Sequence, residues 1–227
     1  MHISDGIIDA PVSVAFGVVA VAGVAYAAKR ARDDLDDRTT PMAGLVAAFV
    51  FAVQMLNFPV LPGVSGHLLG GALATLLVGP WLAILCVAVV MLVQGLLFAD
   101  GGLTALGLNI TNMGIVTSLV AAALVVLLVR RYRPGPRTIW VTAFVVAFLS
   151  VLVGASTFVL EYALGGTLSI SIATVATLQL GYHVLIGIGE GLITAMTVAT
   201  VAATRPDLVW ALRRHAPRPQ ADELVDA

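Results

Sequence analysis

The chain has 227 residues, of which 59 % are hydrophobic and 11 % charged, where soluble proteins carry about 45–50 % and about 25 %. A soluble domain of this size could not cover its surface with so few charges, so the composition excludes a disordered chain, a soluble enzyme and a nucleic-acid binder. The mean hydropathy of +1.02 leaves an all-α integral membrane protein built mostly of spanning helices.

The 12 basic residues gather in three clusters: Lys29, Arg30, Arg32 and Arg38; Arg130, Arg131, Arg133 and Arg137; Arg205, Arg213, Arg214 and Arg218. The apolar runs between them predict seven spans, at roughly 11–28, 41–58, 66–79, 80–98, 110–129, 138–162 and 173–203. With the N-terminus outside, all three clusters and the C-terminus fall in the cytoplasm, and the outer loops hold no Lys or Arg. Six spans would leave one cluster outside. Residues 1–203 therefore read as a single transmembrane domain, and 204–227 as a polar, frayed cytoplasmic tail.

Pro11 and Pro41 suit first turns of helices, and Pro80 suits a tight break between the third and fourth spans. FPVLPGVSG at 58–66 reads as a turn-rich loop. The span that follows has only 14 residues, about 21 Å, short of about 30 Å of hydrocarbon. The loop before it is expected to dip into the membrane and to floor an outward-facing pocket, since non-helical backbone is tolerated there only beside protein or a cavity. The first twelve residues include Asp5 and Asp9 and lack a basic start, unlike a signal peptide. The lone Cys86, inside an apolar span, reads as a small buried hydrophobe and excludes a disulfide framework.

Three histidines are candidates for chemistry: His2, His67 and His183. His215 lies in the basic tail. A histidine at position two can chelate through the Met1 α-amine, its own backbone nitrogen and its ring Nδ1, leaving one donor to be found. Nitrogen ligands in a square plane favour Ni(II) or Cu(II). His67 is a plausible fourth donor, expected in the first turn of a helix whose dipole keeps the imidazole neutral. The competing reading has Ser65 capping that helix and His67 filling an interior gap. His183 and Glu190 share a helical face seven residues apart, and ionisable groups at that depth are costly and usually functional. Asp5, Asp100, Asn109 and Asn112 can surround a bound cation or serve as loop and cap residues. Glu161 is expected near an outer interface.

MHISDG at 1–6, SGHLLGG at 65–71, DGGLTALGLNITNMG at 100–114 and HVLIGIGEG at 183–191 resemble the CbiM/NikM family, the substrate-specific membrane components of cobalt and nickel energy-coupling-factor transporters. The resemblance implies seven helices with an extra one at the N-terminus, and Ni(II) or Co(II) held by the Met1 amine, the backbone and side chain of His2, and His67. It implies no intrinsic cofactor and no enzymatic activity of this chain. It further implies a transmembrane coupling protein, two ATP-binding subunits and often a small accessory membrane protein as partners, in a bacterial or archaeal cell membrane. No G-x-x-x-x-G-K-[ST] phosphate loop occurs in the chain.

Other classes fit less well. Gly63-Val64-Ser65-Gly66 matches the GxSG pattern of rhomboid-type intramembrane proteases, with His183 as a possible base. A metal channel independent of ATP would not need a chelating terminus. A retinal receptor needs a lysine inside a span, and Lys29, the only lysine, stands at a span end. A zinc protease of the H-E-x-x-H type is excluded because the motif is absent.

Overall fold

The computed structural model describes residues 1–129 and 135–213. Arg130, Arg131 and Arg133, with Arg214, His215 and Arg218, lie outside the described residues. Helix α1, Ala10–Ala31, starts where the Asp9 carboxylate accepts the Val12 N–H at 3.0 Å, with Pro11 in the first turn. Helix α2 is Thr39–Gln54, α3 is Gly71–Val78 and α4 is Pro80–Leu97. Helix α5, Leu106–Ile110, a π-helical turn, Thr111–Val116, and α6, Thr117–Val129, run on as one rod. Helix α7 is Pro136–Gly165, and α8, Ile172–Thr204, is capped by Ser171.

Among the described residues, five stretches are long and apolar enough to cross a membrane: α1, α4, the α5–α6 rod, α7 and α8. The chain is a multi-pass membrane protein. Large apolar side chains such as Val14, Val18, Leu185 and Met196 point outward from α1 and α8, as a lipid-facing surface requires. The two remaining apolar stretches are shorter. Helix α2 has 16 residues and α3 only eight, about 24 Å and about 12 Å.

The fold is mostly helical, as expected, with one small sheet that the expected all-α class did not contain. Residues 58–66 are strands rather than a loop: β2, Phe58–Leu61, and β3, Val64–Gly66, pair antiparallel with a bulge between Pro59 and Leu61. Strand β1, His2–Ile3, adds to the other side, giving the order β1-β3-β2 with His2 opposite Ser65 and Ile3 opposite Val64. Pro59 is tolerated because β2 is an edge strand. This hairpin also shortens the third span from 66–79 to 71–78, so His67 sits in the connection ahead of α3 instead of in its first turn. Ser65 lies on β3 and caps no helix.

Two cores result. The larger joins the helices; the smaller gathers Met1, Ile3, Ile7 and Ile8 with Val60, Val64, Leu108, Phe158 and Tyr162. The N-terminal segment is thus built into the interior. At the opposite end, Arg38 and Arg205 lie 3.6 and 2.8 Å from Asp207, and Arg30 lies over Trp81. The first and third basic clusters therefore share one end of the bundle. The start of the expected tail is folded: Val209 and Leu212 are buried, and Trp210 packs on Gly79.

Candidate metal site

Strand β1 carries the first two residues to the middle of the molecule. Its Ile3 peptide groups turn away from β3, where Asn109 meets them like a neighbouring strand. Asn109 Oδ1 accepts the Ile3 N–H at 2.9 Å, and its Nδ2 donates to the Ile3 carbonyl at 3.2 Å. Gly102 N–H donates to the same carbonyl at 2.8 Å, and Ser4 N–H donates to Gly63 at 2.9 Å. A Cβ at Gly102 would strike the Asp5 backbone, so only glycine lets the loop after α4 lie so close. Asp5 Oδ1 accepts the Thr104 N–H and hydroxyl at 2.7 and 2.5 Å, and these bonds hold its carboxyl below the usual range.

This docking buries Met1 completely. Its α-amine lies 2.6 Å from His67 Nε2. His67 Nδ1–H donates to the Leu68 carbonyl at 2.7 Å. A carbonyl can only accept, so the proton is fixed on Nδ1 and the Nε2 lone pair faces the amine. Both groups lie outside the spanning helices, and burial lowers both well below their ordinary values, with mutual repulsion adding to the effect at His67. The neutral forms, which bind metals, are favoured. Burial of the loop, rather than the helix dipole expected from sequence, keeps His67 neutral.

His2 is also buried, its ring 4.4 Å from that of His67. Its Nε2 lies 3.1 Å from Gln94 Oε1, and the ring proton can lie on Nε2, donated to Gln94, or on Nδ1, donated to Asp100. Nδ1 makes no hydrogen bond among the described residues and stands 3.2 Å from Asp100 Oδ1. With the proton on Nε2, the Nδ1 lone pair and the Asp100 carboxylate make a place for a cation; with it on Nδ1, the ring donates to Asp100. Burial lowers the His2 ring, while His2 in turn holds the Asp100 carboxyl below its usual range.

The remaining predicted residues divide. His183 is fully buried, with Nδ1 2.7 Å from the Gln179 carbonyl and Nε2 unpartnered among the described residues. Gln179 also contacts Met1 Sδ. Glu190 is bonded to the loop after His67. Asn112 does not join the histidines; it donates to Glu161 at 2.8 Å. Glu161 is fully buried, which corrects its interfacial reading. Ser65 Oγ makes no hydrogen bond among the described residues, so nothing couples it to His183 as nucleophile to base. Sequence reasoning passes over Gln54, Gln94 and Gln179, three buried amides within long apolar stretches, a signal the sequence does carry.

Among the described residues, no three His, Cys, Asp or Glu side chains converge. The converging nitrogens here include a terminal amine. Two nitrogens bound to one ion at about 2.0 Å and at right angles stand about 2.8 Å apart, close to the separation of the Met1 amine from His67 Nε2.

The fold defines a polytopic membrane protein. A solved transition metal transporter, in truncated form, superposes with a TM-score of 0.78 at 25 % identity, over 89 % of this chain and 99 % of the other. A second has a TM-score of 0.79 at 24 % identity, over 95 % and 97 %, and speaks to the fold alone. Residues 2–208 match the family described as CbiM, cobalt uptake substrate-specific transmembrane region. The chain belongs to that family and is a substrate-specific component of cobalt/nickel transport. The cobalt transport protein CbiM of Sorangium cellulosum is 32 % identical over 216 residues, 92 % of this chain and 94 % of that one. The fused nickel transport protein NikMN of Rhodobacter capsulatus is 33 % identical over 223 residues, 92 % of this chain but 64 % of the longer relative.

Proposed function

We propose that this chain captures Ni(II) or Co(II) with four nitrogens: the Met1 α-amine, the backbone nitrogen and Nδ1 of His2, and Nε2 of His67. The observation that carries this reading is the buried Met1 amine 2.6 Å from a histidine nitrogen whose ring partner is already committed to Leu68. The N-terminal arm acts as a plug that brings its own donors into the pocket. A square of four nitrogens suits nickel in particular.

The basic end of the bundle faces the cytoplasm and the sheet faces outside. The metal is taken from the outer side and passed inward when separate partner subunits hydrolyse ATP, as in energy-coupling-factor transporters. Those partners are a transmembrane coupling protein, ATP-binding subunits and a small accessory membrane protein. The chain itself performs no catalysis, and its place is the cell membrane of a bacterium or archaeon. Asp100 and Gln94 orient His2, while Asp5 and Asn109 hold the arm in place.

The test is calorimetric Ni(II) and Co(II) binding by purified chain with one residue inserted before Met1. Insertion moves the amine by about 3.4 Å along the strand, more than its whole separation from His67. Binding is expected to fall at least about 100-fold; undiminished affinity would sink the proposal.

A further inference from the structure

We infer that Glu190 is a positioning residue that acts on His67 through the peptide group joining Leu68 to Leu69. The inference rests on the metal-site reading above and adds a residue 121 positions away from Leu69 in the chain. Glu190 Oε2 accepts the Leu69 N–H at 2.6 Å, and Oε1 accepts the Gly70 N–H at 2.9 Å. The Leu69 N–H and the Leu68 carbonyl belong to one peptide unit, and that carbonyl accepts the His67 Nδ1 proton at 2.7 Å. The path therefore runs carboxylate, peptide, imidazole, with Nε2 at its far end.

In many metal sites a carboxylate binds the outer nitrogen of a ligating histidine directly, fixing its tautomer and strengthening its donor atom. Here a peptide group stands between the two. A carboxylate on the N–H side polarises the amide and makes its oxygen the better acceptor, which in turn holds the Nδ1 proton and enriches Nε2. The next peptide is fixed as well: Gln54 Nε2 donates to the Leu69 carbonyl at 2.8 Å, and Glu190 takes the Gly70 N–H. Two consecutive peptide groups are thus pinned from both sides. Gly70 has φ +81°, a conformation that leaves no freedom for a bulkier residue, and a Cβ there would meet Val50 at 2.6 Å. Glu190 and Gln54 are both buried, so water does not compete for these bonds.

The experiment compares the full chain with Glu190→Gln and with Thr194→Val, a near-isosteric control one turn further along α8. Two readouts are taken: histidine 15N spectra of the metal-free protein, with His67 assigned through His67→Gln, and calorimetric Ni(II) affinity. The glutamine keeps the shape but loses the charge and turns its NH2 towards one of the two N–H donors. The expected result is a shift of the His67 ring signals towards the Nε2–H form and a Kd raised about 10- to 100-fold, with neither change in Thr194→Val. Unchanged ring signals and a Kd within twofold of the control overturn the inference. Should Glu190→Gln fail to fold, the unmodified chain decides: a His67 protonated at Nε2 overturns it, and one protonated at Nδ1 with a strongly downfield Leu69 amide proton supports it. Ring signals moved by Glu190→Gln in a protein that binds no Ni(II) or Co(II) would uphold the relay while removing the metal reading.

Discussion

Replacing Asn109 with leucine tests whether the N-terminal arm is held by the α5–α6 rod. Leucine fills nearly the same volume, so the perturbation is polar. The Ile3 carbonyl loses the Asn109 amide but keeps the Gly102 N–H at 2.8 Å. The Ile3 N–H loses its Asn109 acceptor at 2.9 Å and is left buried without a partner. One buried unsatisfied donor costs about 1–3 kcal/mol, which raises the arm's opening equilibrium about 5- to 150-fold. Hydrogen exchange of the N-terminal peptide reads this directly, because Ser4 N–H is bonded to Gly63 only while the arm is docked. Metal affinity responds later, since the apparent Kd rises only when the docked fraction falls appreciably below one. Exchange within twofold of the native chain would refute the reasoning, because Asn109 would then be a bystander to docking.

The remaining expectations concern the ligands. His67→Ala should weaken Ni(II) binding more than about 100-fold and His183→Ala less than about tenfold, because outer partners cost less than donors; equal losses by calorimetry would make His183 a ligand. Acid should weaken binding. The Met1 amine ordinarily titrates at 8.0 and is lowered well below that when docked. Docking is thus fully favoured above pH 8 and is lost, about tenfold per unit, as pH falls towards the lowered value. His2 and His67, also lowered from 6.5, steepen the loss below that pH. An affinity that stays flat from pH 8 to pH 5 contradicts nitrogen ligation.

The long apolar rods were legible because basic residues mark where they stop; α7 and α8 extend only a few residues beyond their expected ends. The sheet was not legible. β1 contributes two residues, and its pairing joins His2 to Ser65 across the sequence, a contact with no local pattern. Pro59, Pro62 and Gly63 spell a turn; Pro62 and Gly63 do make one, but Pro59 lies in β2 and strands form on both sides. The structure brings Met1, His2 and His67 together, a grouping that the chelating geometry of a second-position histidine suggests from sequence. The roles of Asp5 and Asn109 were not, because both bind backbone, and which peptide group they meet depends on how β1 docks. Asn112 was misplaced for a related reason. It follows Asn109 by three residues, yet its partner is Glu161 on α7.

The place of Gln94 along α4 sets the depth of the site, and with it an electrical property. Helix α4 begins at Pro80, beside Trp81 and Arg30, at the basic end of the bundle. Gln94, which touches His2, lies about 21 Å along α4 from there. Of about 30 Å of hydrocarbon, about 9 Å remains on the side of β1. On the function and orientation proposed above, a divalent ion reaching the nitrogens from that side falls through about a third of the transmembrane voltage. With about 2.3 kcal/mol per charge per 100 mV, an inside-negative potential favours its capture by about 1.4 kcal/mol per 100 mV, close to tenfold, less what the departing ligand protons carry back. On the function proposed above, the depth of the site ties metal capture to the energised state of the membrane.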